Sequence, residues 1–346
     1  MFAGELTVTE LNPSSTFKQR TITRMAPEQL FTAGEPNFGY FDGPVKQLTA
    51  PGASFSLGTQ WRLRLKRQLE IVMLQHRQFQ LLCRVAAPLQ APQILLFDHV
   101  KQQVRDISPR RFFKGRATLS SNAWQGMSSA GELKLAKFQG HWQLQLAAAA
   151  AKLPLSLNAE LRPTPLSLPV SCCGALRPQG WVYQQQHHGL APVGEFMLNF
   201  EPQVLSRMTA GYGYFVGQSS RQTPWRWLIF NGDVNGRRAG MCLTDGLSAT
   251  FPGNGLWLDG ARHILPSVQL TVEQRGRRLR QWRILSACGC VEGVFTPKIE
   301  LAAKSVGWLP TQTPQLLSGQ LDLDVIDCAG QHLEIRNLPA IIGSER

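Results

Sequence analysis

Apolar and polar residues alternate with a period of two along much of the chain, which is the pattern of half-buried β-strands. Regular alternation begins near Trp61 in WRLRLKRQLEIVMLQ and continues in GELKLAKF, HWQLQLAA and KLPLSLNAEL. A later run, QLDLDVID, places Leu321, Leu323 and Val325 on one face and aspartates on the other. Apolar residues at helical spacing never extend beyond about three turns. The pattern therefore predicts an all-β protein.

Turn residues separate these runs at intervals of about 8 to 12 residues. The strongest hairpin signal is the cluster of Asn, Asp and Gly between Asn231 and Gly236, which lies between two apolar runs. Further tight turns are predicted at Asp98-His99, Gln139-Gly140, Asp259-Gly260 and Ala329-Gly330. Many short strands joined by such turns are typical of a meander, a sandwich or a barrel.

The length of 346 residues favours two domains or one elaborate β-structure. A proline-rich segment, RPTPLSLPVSCCGALRPQG, interrupts the strand pattern between residues 162 and 180 and is the best candidate for a boundary. We therefore expect an irregular N-terminal arm at residues 1–37, a β-barrel-like half at 38–165, a linker at 166–180 and a second β-barrel-like half at 181–346.

The formal net charge of +13 raises the question of an anionic partner. Basic residues cluster at 62–67, 105–116 and 275–283. Because Arg62, Arg64 and Lys66 alternate with leucines, the favoured interpretation is a solvated strand face, and the last cluster fits a hairpin tip. A basic surface that docks on anionic lipid or nucleic acid is the alternative.

Seven cysteines at irregular spacing, with no secretory signal, predict reduced thiols and a cytoplasmic location. No apolar run reaches the 18 or so residues of a membrane-spanning helix. The spacing of histidines and cysteines supports no metal site, and neither a phosphate-binding loop nor a dinucleotide fingerprint occurs. We expect no cofactor, and the oligomeric state stays open.

Several segments, in order along the chain, resemble one bacterial family over about residues 38 to 340. They are FDGPVKQL, WRLRLKRQLEIVMLQ, QILLFDHVKQQV, TPWRW, DVNGRRAGMCL and NGLWLDG. The family is domain of unknown function 2804, which is similar to lipocalin-like carotenoid 1,2-hydratases and tocopherol cyclases. The resemblance implies two lipocalin-like (calycin-type) antiparallel β-barrel or sandwich halves packed together, with an apolar pocket. Gly213 and Gly253 stand where the family pattern carries acidic residues, so the resemblance assigns no catalytic acid.

Aromatic residues near the central hairpin are the main candidates for a ligand site. Trp225 and Trp227 share one strand face and either close a barrel end or line a pocket. Arg237 follows the hairpin turn and could enter a barrel to bind a carboxylate. The ligand-binding candidates are Tyr212, Tyr214, Trp225, Trp227, Arg237, Asn254 and Trp257. Acidic candidates for proton transfer are Glu195, Asp233, Asp245, Asp259 and Glu292, and turn-forming roles are favoured for Asp233 and Asp259.

Three functional hypotheses follow. The first is binding of a hydrophobic or isoprenoid-like small molecule in an apolar β-barrel pocket. The second is acid-assisted hydration or cyclisation of such a lipid, whose acid the sequence leaves unknown, so that enzymatic activity stays open. The third is docking of a basic surface on anionic lipid or nucleic acid. The fold alone does not choose among them.

Overall fold

A computed structural model describes residues 22–48, 66–87, 92–108, 118–148, 153–176, 180–219, 224–248, 250–275, 279–301, 315–327 and 329–345. These residues form 25 β-strands and a 3₁₀ turn at Leu205–Arg207, and they contain no α-helix. Within this part of the chain no helix is long and apolar enough to cross a membrane. The all-β class predicted from the sequence is confirmed.

Fourteen of the sixteen described strands between residues 22 and 219 build the first sheet. The strands of this part of the chain are β1 (Thr23–Arg24), β2 (Phe31–Thr32), β3 (Glu35–Pro36), β4 (Gly39–Phe41), β5 (Lys66–Gln75), β6 (Phe79–Ala87), β7 (Gln93–Asp98), β8 (Gln103–Asp106), β9 (Gln125–Ala130), β10 (Leu133–Phe138), β11 (His141–Ala148), β12 (Leu155–Arg162), β13 (Val170–Ala175), β14 (Gly180–Leu198), β15 (Glu201–Pro202) and β16 (Thr209–Ser219). The main path is β8-β7-β6-β5-β16-β14-β12-β11-β10-β9. Beside it, β13 pairs with β14 and β4, and β2 and β3 form a separate pair. The β1–β4 pair is parallel, so the sheet is not purely antiparallel.

Nine strands build the second sheet. They are β17 (Trp225–Val234), β18 (Arg237–Asp245), β19 (Gly255–Leu258), β20 (Ala261–Ile264), β21 (Val268–Arg275), β22 (Leu279–Ser286), β23 (Val291–Glu300), β24 (Leu316–Ile326) and β25 (His332–Glu345). Their order is β20-β19-β18-β17-β25-β24-β23-β22-β21. Together with the first sheet this gives the two lipocalin-like halves that the sequence predicts.

Local turn chemistry fixes the hairpins. Val234 pairs with Arg237, so Asn235 and Gly236 form a two-residue turn with φ of 54° and 79°. Positive φ at both positions is the type I′ geometry, whose twist matches that of the strands. The predicted turns at Asp259-Gly260 and Gln139-Gly140 are confirmed by the β19–β20 and β10–β11 pairings.

Three large apolar clusters and a small fourth one around Tyr40 and Trp257 hold the described part of the molecule together. One lies inside the first sheet, another lies inside the second, and a third lies between the two sheets. The sequence of strand β5 is almost continuously apolar because both faces of the strand are buried. Val72 and Leu74 pack into the first cluster, whereas Ile71 and Met73 pack between the sheets. A strand that is buried on both faces has no solvated side on which polar residues would alternate.

The predicted boundary between the halves needs correction. The segment proposed as a linker, 166–180, contains β13, which pairs with β14 and β4 inside the first sheet. The chain changes sheets later, between Ser219 and Trp225. Prolines before β13 resemble a linker in sequence, but proline is also compatible with strand starts and sheet edges. Residues 22–37 of the predicted arm contribute β1, β2 and β3, and residues 1–21 lie outside the described part.

Candidate functional site

A row of polar side chains crosses four neighbouring strands on the inner face of the first sheet. Glu70 on β5 pairs with Tyr214 on β16, which pairs with Gln185 on β14, which pairs with Ser171 on β13. Directly paired residues of adjacent strands point to the same face. All four are buried, with at most 2% of each residue exposed. We call these four residues the polar row.

Two further rows flank the polar row. On one side Val72 pairs with Tyr212, and Tyr212 pairs with His187. On the other side Val216 pairs with Tyr183. Tyr183, Tyr212, Tyr214 and Val216 all belong to the apolar cluster inside the first sheet. The polar groups are therefore set within an apolar interior and are shielded from bulk water.

Lys137 reaches the polar row from the opposite wall. On β10 it occupies the inward position that Leu133 and Leu135 occupy earlier in the strand, and it is 3% exposed. Its Nζ donates a hydrogen bond to Glu70 Oε1 and lies 5.5 Å from the centroid of the Tyr214 ring. Burial lowers the pKa of Lys137, and the neighbouring Glu70 opposes that shift. Because burying two charges is costly, a pair of this kind is weak evidence for stability and directs attention to function.

The tyrosine hydroxyls differ in how well they are bonded. Tyr183 accepts a hydrogen bond from the Val45 amide at 3.1 Å, lies 2.9 Å from Ser171 Oγ and donates to Gln185 Oε1 at 3.0 Å. Burial raises the pKa of Tyr212 and Tyr214 well above 10, and the Glu70 carboxylate raises both further. Both hydroxyls therefore stay protonated at physiological pH and can act as neutral hydrogen-bond donors.

Three polar atoms of this interior make no hydrogen bond of good geometry with the described residues. They are Glu70 Oε2, Gln185 Nε2 and the Tyr212 hydroxyl. A buried polar atom without a partner costs about 1–3 kcal/mol, so natural proteins rarely leave one in place without a reason. The carboxylate can accept a hydrogen bond, and the amide and hydroxyl can donate one. Hydrogen-bonding groups of a bound small molecule could therefore pair with these atoms.

An aromatic wall lies beside these atoms. The Trp142 ring centroid is 4.8 Å from that of Tyr212 and 5.7 Å from that of His187. His187 Nε2 lies 2.8 Å from Ser167 Oγ. Burial lowers the pKa of His187 to about 3, and His188 and Arg262 contribute in the same direction. His187 is therefore neutral at physiological pH and is not a charged acid in this interior.

The structure separates the ligand-binding residues predicted from the sequence. Tyr212 and Tyr214 lie in the interior just described. Trp227 is buried between the two sheets, where its Nε1 donates to Glu345 Oε1 at 3.2 Å, and half-buried Trp225 packs against the same cluster. Trp257 lies beyond His187, with ring centroids 5.9 Å apart, and donates to the Leu168 carbonyl.

Two other predicted ligand residues make structural contacts. Arg237 is exposed and forms an ion pair with Asp259 at 2.7 Å, so its guanidinium enters neither interior. Asn254 is buried, and its side chain accepts from the Thr244 amide at 2.7 Å and donates to the Pro266 carbonyl at 2.8 Å. Both polar atoms of the Asn254 amide therefore have a partner within the protein.

The acidic candidates named from the sequence lie outside this interior. Asp233 accepts from the Gly236 amide within its own turn, and Asp259 occupies the β19–β20 turn with a φ of 52° and accepts from the Arg238 amide of β18. Asp245 accepts from the Leu270 amide, and Glu195 and Glu292 are exposed. Sequence reasoning missed Glu70 and Lys137. The available signal was an ionisable residue on the apolar face of each of two strands, LEIVML and LKLAKF.

The two glycines that depart from the family pattern face away from the polar row. Gly213 alternates with Tyr212 and Tyr214, and a Cβ there would meet the Phe215 ring at 3.1 Å. Gly253 has a φ of +72° and lies against the Gln184 side chain, where a Cβ would come within 2.6 Å of Oε1. Neither position would carry an acid into the interior of the first sheet.

Comparison with protein families gives one match. The model described as domain of unknown function 2804 covers residues 22–345. The chain belongs to this family. Comparison with curated proteins gives no significant match. Membership therefore confirms the resemblance seen in the sequence and leaves the function of the family open.

Solved structures of similar shape share little sequence with this family member. A candidate AttH protein from Nitrosomonas europaea aligns at a TM-score of 0.45 and 13% identity, over 85% of this chain and 98% of its own. CghA aligns at 0.44 and 7%, over 94% and 97%. Kievitone hydratase from Nectria haematococca aligns at 0.42 and 6%, over 81% and 88%. At these values the likeness assigns no substrate and no reaction.

Proposed function

We propose that this protein binds a small, largely apolar molecule inside the first sheet and recognises one polar group of that molecule with the polar row. The observation that carries the proposal is the set of unpartnered atoms, Glu70 Oε2, Gln185 Nε2 and the Tyr212 hydroxyl. A ligand group that both accepts and donates hydrogen bonds, such as a hydroxyl, matches them.

The surroundings define the rest of the ligand. Around the polar row the interior is lined by leucine, valine, alanine and aromatic side chains. Binding sites for small molecules typically combine such apolar walls with a few converging polar groups. A hydrophobic molecule with one hydroxyl therefore matches the chemistry of these side chains, and the isoprenoid class implied by the family resemblance is the preferred candidate.

The test is native mass spectrometry of the protein purified from its own host, combined with lipid extraction. We expect a stoichiometric hydrophobic molecule, which Tyr212→Phe retains less well because it removes one unpartnered hydroxyl. Tyr40→Phe is the matched control, because Tyr40 packs on Phe251 outside this interior. Equal retention by folded Tyr212→Phe and wild-type protein would remove Tyr212 from the site.

A second candidate function is acid–base chemistry on the bound molecule. Glu70 supports it, because a buried carboxylate with one oxygen bound to Lys137 and the other without a partner can exchange a proton with a ligand. The measurement is incubation of the extracted molecule with the protein in heavy water, followed by mass analysis. Deuterium incorporation that is lost in Glu70→Gln, while binding persists, supports an enzyme. Absence of turnover by wild-type protein favours a binding protein.

A further inference from the structure

A second polar feature lies at the junction of the two halves, in a cleft of about 640 Å³. The first half contributes His76 and Arg77 from the β5–β6 turn, and Arg207 from the 3₁₀ turn. The second half contributes Asp233 and Arg238 from the β17–β18 hairpin. The cleft therefore exists only where the two halves meet, which is a common location for small-molecule sites.

The cleft carries an excess of positive charge. Arg77, Arg207 and Arg238 make no ion pair with the acidic residues that the structure describes, and Asp233 is the single acid among the lining residues. Burial lowers the pKa of His76, and the positive charges of Arg207 and Arg77 lower it further. With His76 neutral, three arginines and one aspartate give a net charge of +2.

These arginines differ from others on the surface. Arg162, Arg237 and Arg336 are exposed like Arg77 and Arg207, but each pairs with a carboxylate within 2.7 Å, and Arg238 is half-buried. A guanidinium that already pairs with a carboxylate has formed the interaction that its planar geometry favours. The three arginines of the cleft keep that capacity for an incoming anion.

Hydroxyl groups complete the lining. Ser206 and Thr209 face the same cleft, and Thr209 is only 7% exposed. A phosphate monoester offers two negative charges and several acceptor oxygens, which match two net positive charges and the donors of arginine, serine and threonine. A lone carboxylate would leave part of this charge uncompensated.

The cleft is distinct from the polar row. Strand β5 leads from Glu70 to the turn at His76, and six residues of extended strand span about 20 Å. Evidence for either site is therefore independent of the other.

We propose that the cleft between the halves binds a small dianion of the phosphate-monoester type, held by Arg77, Arg207 and Arg238. The ligand is a free metabolite or the headgroup of an anionic lipid, and both present the same chemistry.

The experiment is calorimetric titration of the full chain with inorganic phosphate at low ionic strength. We expect saturable binding that weakens about fivefold in Arg77→Gln and in Arg207→Gln. Asp233→Asn should bind more tightly, because it removes the opposing charge and keeps an acceptor for the Gly236 amide. The matched control is Arg280→Gln, which removes an exposed arginine that does not line the cleft.

A second readout locates the anion. On addition of phosphate, the NMR signals of His76 should shift, whereas those of exposed His332 should not. Vesicles of phosphatidylcholine with phosphatidic acid distinguish the two sources, because arginine-dependent vesicle binding that phosphate displaces indicates a lipid headgroup. The proposal is overturned by the absence of saturable phosphate binding, by equal weakening in Arg280→Gln, or by unchanged affinity in Asp233→Asn.

Discussion

Glu70 and Lys137 form an ion pair across the interior of the first half, although their strands β5 and β10 are separated in the sheet by β16, β14, β12 and β11. Only a strongly curled sheet can bring these strands face to face. The pair thus joins opposite walls of the first half and at the same time places a carboxylate among unpartnered polar groups.

Breaking this ion pair should strongly lower the free energy of unfolding only when one of the two charges remains buried. Lys137→Met or Glu70→Gln alone leaves a buried partner without compensation and should lower the free energy of unfolding by about 3–5 kcal/mol. The double variant Glu70→Gln/Lys137→Met should recover most of that loss. Urea denaturation of the four proteins measures the coupling. Additive losses in the double variant would contradict a direct interaction.

Two buried tyrosines should respond differently to the loss of a hydroxyl. Tyr183→Phe removes a group with three hydrogen-bond contacts and should lower the free energy of unfolding by about 1–3 kcal/mol. Tyr212→Phe removes an unpartnered hydroxyl and should leave the ligand-free protein equally or more stable. Urea denaturation of delipidated protein provides the comparison, and a large loss in Tyr212→Phe would reveal a partner for its hydroxyl.

Acidification should destabilise the fold through its buried histidines. The pKa of both His187 and His188 is lowered from 6.5 to about 3, chiefly by burial. Between these values the unfolded chain binds protons that the folded chain does not bind. The stability is therefore fully present above about pH 6.5 and falls as the pH decreases towards 3, by at most about 1.4 kcal/mol per pH unit for each histidine.

Urea midpoints measured between pH 7 and 4 test this dependence. His187→Gln should flatten the slope, whereas His332→Gln serves as the control because His332 is exposed. An identical slope in His187→Gln and wild-type protein would rule out His187 as a source.

The β17–β18 hairpin offers a test of backbone strain alone. Gly236 has a φ of +79°, and a Cβ at this position would meet no atom within 4 Å. Gly236→Ala should therefore lower the thermal midpoint through strain of about 1 kcal/mol. Gly232→Ala in the same hairpin is the control, since Gly232 lacks a positive φ and its nearest atom is 3.5 Å away. Equal effects of the two substitutions would show that crowding or chain entropy dominates.

The hairpins could be predicted from the sequence because each one depends on residues that are close together in the chain. Asn235 and Gly236 adopt the required conformation by themselves, and the flanking alternation sets the inward faces. Sheet membership is not local, which is why the segment containing β13 resembled a linker. The aromatic candidates show the same limit. Tyr212 and Tyr214 share an interior, but Trp227 lies between the sheets, and the strand pattern alone does not separate these environments.

Only part of the chemistry of the site could be predicted from the sequence. The period of β10 puts Lys137 on the same face as Leu133 and Leu135, which marks it as unusual. Its partner lies 67 residues earlier in the chain and is reached only by curling of the sheet. No spacing rule connects such residues. The unpartnered atoms of Gln185 and Tyr212 are likewise a property of three-dimensional packing.

The position of β25 between β17 and β24 has a consequence for how the protein is made. All described strands of the first sheet precede residue 220, so a ribosome can release them for pairing while the rest is still being translated. In contrast, β17 ends at Val234, long before β25 begins at His332, whereas β24 is synthesised directly before β25. Glu345 on β25 also provides the carboxylate for Arg84 on β6. Nascent chains therefore expose the unpaired edge of β17 until β25 emerges, and this interval is the time at which protection by chaperones matters most.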